Sequence, residues 1–135
     1  MVGRFGAATA EQQVTGHEEG TTVARTTRTD DAAKLLEKIA AWPEEQRAVG
    51  ERLHALVVAA VLELRPRLYY GQPGYARGGP VLVFFRNDDG LISFGLTEKA
   101  NRSATDPLVE SAWFVNALDA AAERRLTAVV RTAAG

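Results

Sequence analysis

The sequence predicts an α+β fold with two N-terminal helices, an antiparallel sheet of about four to five strands and a C-terminal helix. The helices are expected to pack on one face of the sheet. Apolar residues recur at helical spacing up to Leu64, at two-residue spacing from Arg67 onward, and at helical spacing again after Asp119. The chain has 135 residues, of which 46% are hydrophobic and 24% charged, which matches one globular domain.

The first 28 residues differ in composition from the rest of the chain. They are rich in Thr, Ala and Gly and have no sustained apolar period, so residues 1–28 are predicted to form a flexible tail. A strand of this tail docked on the domain is the alternative. Residues 29–135 are predicted to form a single α+β domain. The N-terminus has no continuous apolar segment of the targeting type, and we expect a cytoplasmic protein.

Two helices are predicted before the sheet. The first begins at Asp30 or Asp31, whose carboxylates can cap the free N–H groups, and it ends before Pro43. Its apolar stripe consists of Leu35, Leu36, Ile39 and Trp42. The second helix begins at Pro43, because proline suits the first helical position. It is expected to run through Leu64 and to be stopped by Pro66.

A meander of antiparallel strands is predicted after the second helix. "RLYY", residues 75–76, "VLVFF", "LISFGL" and "SAWFV" are the strand segments. "VLVFF" is apolar at every position, which is typical of a central strand covered on both faces. The connecting turns are "GQPG", "RGGP" and "NDDG", since glycine and Asp-Gly pairs adopt turn conformations readily. The last helix is expected to be capped near Asp119 or Asn116.

Composition excludes several classes of function. The chain has no cysteine, which rules out disulfides, thiolate metal sites and cysteine nucleophiles. Its formal net charge is −1, whereas broad attraction to nucleic acid or an anionic membrane needs a strongly positive surface. The longest apolar runs are shorter than the roughly 20 residues that span a bilayer. We therefore expect neither a nucleic-acid partner nor a membrane association.

Several segments together resemble the YdhG-like family, a group of small bacterial domains of mostly unknown function related to frataxin-like and YjbR-like folds. The segments are "WPEEQRAVGERLHALV", "YYGQPGYARGGPVLVFF", "LISFGL" and "SAWFV", and the resemblance covers residues 31–133. The family has an aromatic-Gly-x-Pro-x-Tyr box, which is Tyr70-Gly71-Gln72-Pro73-Gly74-Tyr75 in this chain. The family usually begins the box with tryptophan, so Tyr70 is a departure that replaces an indole donor by a phenol.

The resemblance implies a frataxin-type iron chaperone as an alternative function, with iron weakly bound by helix carboxylates. Such a site needs several carboxylates on one surface. The candidate carboxylates are Asp30, Asp31, Glu37, Glu44, Glu45 and Glu51. Lys34, Lys38, Arg47 and Arg52 are interleaved with them, which favours a solvated helix face with ion pairs. No metal ligand and no resident cofactor is predicted from the residues.

No catalytic constellation is found in the sequence, and the chain is not predicted to be an enzyme. Nucleotide-binding glycine loops and a nucleophile elbow are absent. His54 is the one histidine within the predicted domain, and we expect it at the boundary of the core beside a polar partner. "RNDDG" lacks the spacing and the closing glutamate of a calcium loop, so a hairpin turn is predicted there.

The preferred hypothesis is a non-enzymatic protein that binds a small ligand or a protein partner with the sheet and the aromatic box. Tyrosine suits positions with a buried ring and a wet hydroxyl, both in pockets and at structural corners. If a pocket exists, its predicted lining is Tyr70, Gln72, Tyr75, Phe94, Lys99 and Trp113. A tight structural corner is the alternative. A homodimer is also expected if an apolar sheet face lacks helix cover.

Overall fold

The computed structural model describes residues 31–135, and within them it confirms the predicted α+β fold. The predicted tail, residues 1–28, lies outside the described residues. The helices are α1 (residues 31–40), α2 (Glu44–Ala60) and α3 (Ala120–Ala134). The strands are β1 (Arg65–Tyr69), β2 (Gln72–Ala76), β3 (Val81–Asp88), β4 (Leu91–Leu96) and β5 (Ala112–Phe114). None of these helices has both the length and the apolar character that a membrane crossing requires.

The five strands form one antiparallel meander in the order β1-β2-β3-β4-β5. Strand β3 is therefore central, as the run "VLVFF" predicts. Residues that pair across an antiparallel ladder share a face, and residues two apart on a strand share it as well. Apart from Ala76 and its partner Val81, where the register between β2 and β3 shifts, the pairing consequently assigns strand residues to one of two faces.

One face of the sheet packs on the helices and forms the core. Its fully buried residues include Tyr75, Val83, Phe85 and Phe94. They join a single cluster with apolar residues from the three helices, namely Leu35, Ile39, Leu53, Val57, Leu126 and Val130. Leu36, which the helical spacing placed on the stripe of α1, is instead 49% exposed. We call this side of the sheet the core face.

The opposite side, which we call the open face, carries Tyr69, Gln72, Phe84, Arg86 and Phe114, as the pairs Tyr69↔Gln72 and Ser93↔Phe114 require. The prediction that "VLVFF" is covered on both faces is therefore wrong. Phe84 is half-buried, and the cavity beside it is lined only by strand and turn residues. A neighbouring aromatic ring shields Phe84.

Helix α2 ends four residues before the predicted position. Val61 adopts an extended backbone with φ −140° and caps the helix, and the N–H of Leu64 donates to the carbonyl of Val61 in the turn that follows. Leu64 is still buried, so its apolar character reflects a core position outside the helix. Pro66 does not stop α2, because it lies within β1, an edge strand in which a missing N–H is tolerated.

The first hairpin turn is also placed differently from its prediction. The turn residues are Tyr70 and Gly71, with φ of +51° and +76°, whereas Gln72, Pro73 and Gly74 belong to β2. Strand β3 pairs with β2 from Gly74 onward, so the proline lies where only β1 is its neighbour. The turn between β3 and β4 is formed by Asp89 and Gly90, and the amide of Gly90 donates to the side chain of Asn87 over 2.7 Å, as the "NDDG" motif predicts.

Helix α3 begins as the sequence predicts. The carboxylate of Asp119 accepts a hydrogen bond from the amide of Ala122 over 2.8 Å, which satisfies one of the free N–H groups of the first turn. Leu126, Val130 and Ala133 form the buried side of the helix. The loop between β4 and β5 contacts the end of this helix, since the amide of Asn101 donates to the carbonyl of Ala133 over 2.9 Å. The loop is thereby attached to the end of α3.

Candidate functional site

The structure does not bring the six predicted lining residues into one pocket. Tyr70 and Gln72 lie at the first hairpin beside the open face, whereas Tyr75, Phe94 and Trp113 lie on the core face. Lys99 follows β4 and is exposed in the loop. It lines a separate cavity of about 510 Å³ beside the end of α3. The six predicted residues therefore lie in three separate places in the fold.

Tyr75 is a core residue. Its ring is fully buried, and its hydroxyl lies 2.8 Å from Nδ1 of His54 on α2. Burial raises the pKa of Tyr75 and lowers the pKa of His54, because a low-dielectric surrounding disfavours the charged form of each group. His54 therefore has the polar partner that we expected at the core boundary. The pair joins α2 to the sheet and leaves Tyr75 unavailable to a ligand.

Phe94 and Trp113 pack against each other from neighbouring strands, with ring centroids 6.5 Å apart. Phe94 is fully buried, while Trp113 is half-buried beneath α3 and the preceding loop. The indole Nε1 of Trp113 is buried and has no hydrogen-bond partner among residues 31–135. An indole nitrogen is a donor only, so Nε1 of Trp113 needs an acceptor that residues 31–135 do not supply.

The open face carries a cavity of about 330 Å³ lined by Tyr69, Tyr70, Gln72, Phe84 and Arg86. Its walls come from β1, the first hairpin, β2 and the central strand β3. Two of the six predicted residues, Tyr70 and Gln72, therefore belong to one site. We call these five residues the hairpin site.

Three aromatic rings form the apolar part of the hairpin site. The Tyr69 ring is central, because its centroid lies 4.7 Å from that of Tyr70 and 4.9 Å from that of Phe84. Phe84 lies directly over Gly95 on the next strand. A Cβ at that position would come within 2.9 Å of the Phe84 ring, so only glycine allows the ring to lie against the sheet.

Tyr70 occupies a backbone conformation that a tyrosine adopts at a cost. Two-residue hairpin loops with positive φ at both positions are type I′ turns, which favour Asn-Gly and Asp-Gly pairs. The hairpin between β3 and β4 has such a pair, Asp89-Gly90, whereas the first hairpin has Tyr70-Gly71. The Tyr70 side chain is also 91% exposed. An apolar ring held in solvent on a strained backbone contributes little to folding, and such outliers concentrate at ligand-binding positions.

Gln72 and Arg86 give the hairpin site its polar groups. The side-chain oxygen of Gln72 is buried and has no hydrogen-bond partner within the described part of the chain. A glutamine amide can both donate and accept, so it can satisfy either kind of group on a ligand. The guanidinium of Arg86 contacts Asp88 through two nitrogens, at 3.1 and 3.2 Å, and half of the Arg86 side chain is exposed. Arg86 therefore remains accessible to an anion.

Sequence reasoning missed Tyr69, Phe84 and Arg86. The alternation along β3 was available and places Phe84 and Arg86 on the same side, opposite to Val83 and Phe85. The apolar run "VLVFF" instead predicted burial of β3 on both faces. Tyr69 could be assigned to this side only once the turn was known to be formed by residues 70–71.

The described residues offer no metal centre. Within residues 31–135, no group of three His, Cys, Asp or Glu side chains lies close enough to hold a metal ion. Glu44, Glu45 and Glu51 are exposed on α2, and Arg52 of the same helix pairs with Glu123 of α3. The arrangement of charges on α2 is therefore that of a solvated helix surface.

Comparison with known proteins finds no match among family models, curated proteins or solved structures.

Proposed function

We propose that this chain is a non-enzymatic binding domain, and that its hairpin site takes a small molecule with a planar ring and an anionic group. The observation that carries the proposal is the exposed Tyr70 ring on a left-handed backbone, packed edge-on against Tyr69. The YdhG-like resemblance belongs to the same proposal, since the aromatic box supplies Tyr70 and Gln72.

The rings define the shape of the ligand. Tyr69 is half-buried and Tyr70 is exposed, and their planes are inclined by 78°. A flat ligand ring can therefore stack on one tyrosine while its edge meets the face of the other, which are the two favourable geometries of aromatic pairs. A saturated ligand of equal size would lose these contacts.

The polar groups define the rest of the ligand. The side-chain oxygen of Gln72 can accept a hydrogen bond from an N–H or O–H on the ring edge, which supplies the donor that this buried oxygen lacks. Arg86 lies on β3 beside Phe84 and can contact a phosphate or carboxylate at the rim, because its pair with Asp88 is exposed and weakly stabilising. Heterocycles with an attached phosphate or carboxylate combine these features.

The test is an NMR titration of the amide signals with three related probes: adenosine 5′-monophosphate, adenosine and ribose 5-phosphate. We expect the monophosphate to shift the amides of Gly71 and Gln72 in a saturable way, adenosine to bind more weakly, and ribose 5-phosphate to have no effect. Stacking contributes about 1–3 kcal/mol per ring, so loss of the ring removes most of the affinity.

Two variants separate binding from stability. Tyr70→Asn removes the ring in a residue that suits positive φ, so the variant folds and should lose the titration response. Phe114→Ala is the matched control, since Phe114 is 70% exposed on the same face but does not line the hairpin site. Equal responses of wild-type protein and Tyr70→Asn, or equal binding of ribose 5-phosphate and the monophosphate, would refute the proposal.

A further inference from the structure

A further cavity lies on the core face of the sheet and shares no lining residue with the hairpin site. It has a volume of about 370 Å³ and is enclosed by β4, β5, the loop over residues 101–110 and helix α3. Its apolar wall is formed by Leu96, Val109, Trp113 and Val129. We call it the indole cavity, because the half-buried ring of Trp113 forms part of its floor.

The indole nitrogen of Trp113, a residue that lines this cavity, has no hydrogen-bond acceptor within residues 31–135. Nε1 of Trp113 is buried without a hydrogen-bond partner in the described part of the protein. A buried donor left unpaired destabilises the folded state, and a tryptophan can only donate. A molecule that relieves this cost must bring an acceptor, which excludes an ammonium group as its head.

Two arginines stand at the rim of the indole cavity. Arg102 donates to the backbone carbonyls of Glu98 and Ala100 over 2.8 and 3.3 Å, and these neutral acceptors hold the guanidinium in place without cancelling its charge. Arg125 of α3 donates to the carboxylate of Glu110 over 2.8 Å. The Arg125 and Glu110 side chains are 61% and 68% exposed, so their pair is easily exchanged.

Glu110 shows which group fits beside Arg125. A loop carboxylate already occupies one side of that guanidinium, and a ligand carboxylate can replace it in the same geometry. Asp106 is the other acidic residue of the lining. Removing either acidic charge should therefore favour an anionic ligand, whereas removing an arginine should oppose it.

We propose that the indole cavity binds a monocarboxylate with an apolar body. The apolar part packs on Leu96, Val109 and Val129, and the carboxylate pairs with Arg125. A small shift of the half-buried Trp113 ring brings its buried indole N–H to the same carboxylate. The match between the unpaired donor, the exchangeable arginine and the apolar wall defines this ligand class, and it does not depend on the hairpin site.

The experiment follows the two indole N–H signals by NMR in the full chain, which has two tryptophans. Trp42→Phe identifies which signal belongs to Trp113. The probes are octanoate and 3-phenylpropanoate, with octanol and octylamine as probes that keep the apolar body and change the head. We expect the carboxylates to shift the Trp113 signal in a saturable way at millimolar concentration, and the Trp42 signal to stay unchanged.

Two exposed substitutions give opposite expectations. Arg125→Gln should weaken carboxylate binding about tenfold, since a charge-assisted hydrogen bond is lost. Glu110→Gln should strengthen it, because the competing carboxylate is removed. Neither side chain is buried, and both variants are expected to fold.

Any of three results would overturn the proposal. The first is that neither carboxylate moves the Trp113 signal. The second is that octanol or octylamine binds as well as octanoate. The third is equal affinity of wild-type protein and Arg125→Gln. A stronger Glu110→Gln complex together with a weaker Arg125→Gln complex supports it, and a purely structural ion pair would weaken both variants alike.

Discussion

Replacing Tyr70 by asparagine should make the protein more stable while removing the hairpin site. Tyr70 has φ +51° in a two-residue hairpin, a conformation that is unfavourable by about 1–2 kcal/mol for most L-residues but is readily adopted by asparagine. The lost contact is the edge-on packing of Tyr70 against Tyr69. Aromatic pairs contribute about 0.5–1.5 kcal/mol, and an edge contact by a ring that is 91% exposed belongs at the lower end.

The two terms leave a net gain of about 0.5–1.5 kcal/mol for Tyr70→Asn. In a domain of about 100 residues this corresponds to a rise in Tm of a few degrees. Tyr70→Ala removes the same ring but keeps a residue with poor tolerance of positive φ, so it should be less stable than wild-type protein. Urea unfolding of the three proteins measures these differences directly.

The hairpin between β3 and β4 provides the reciprocal control. Asp89 has φ +54° in the same kind of turn, so Asp89→Tyr should lower stability by about the strain that Tyr70→Asn relieves, roughly 1 kcal/mol. The reasoning is refuted if Tyr70→Asn is no more stable than Tyr70→Ala, because backbone strain at Tyr70 would then be negligible. In that case the exposed Tyr70 ring would no longer be a feature that lowers the stability of the protein.

Three further predictions concern the core and the helices. Burial lowers the pKa of His54, so the folded state favours the neutral ring. The neutral His54 ring contributes fully to stability above the unfolded pKa of about 6.5, and this contribution falls as the pH drops below that value. Wild-type protein should therefore lose more stability than His54→Gln between pH 7.5 and 5.5 in urea unfolding, and equal losses would contradict this. Gly50→Ala places a Cβ 2.6 Å from the Trp42 ring. The overpacking costs about 1–3 kcal/mol and exceeds the gain of roughly 1 kcal/mol in helix propensity, so the variant should unfold at a lower temperature. A more stable variant would disprove the close approach of Gly50 to Trp42. Asp119→Ala should lower stability by about 1 kcal/mol through loss of the α3 cap, whereas Asp119→Asn should retain it, and equal stability of the two variants would show that the cap is unimportant.

The hairpin site and the indole cavity differ in how many of their residues the sequence predicts. The box of turn residues and tyrosines drew attention to Tyr70 and Gln72, which do share a site. Trp113 was named for the same pocket, but it lies on the core face and belongs to the indole cavity. The residue types were recognised from the sequence, but the structure separates the residues, because their sides of the sheet depend on the position of the first turn and on the register.

The sequence by itself determined the kinds of elements and their order. Helical spacing identified the three helices, two-residue spacing identified the strands, and Asp-Gly and Asp119 marked a turn and a helix start correctly, because these signals depend on neighbouring residues. Tertiary structure decided the end of α2, the position of the first turn and the faces of the sheet. A turn at Tyr70-Gly71 pairs Tyr69 with Gln72, and a shift of one residue would exchange the two faces for that strand. Tyr75 points toward His54 and Tyr69 points away because helix packing on one side of the sheet selects the register, and that packing joins residues far apart in the chain.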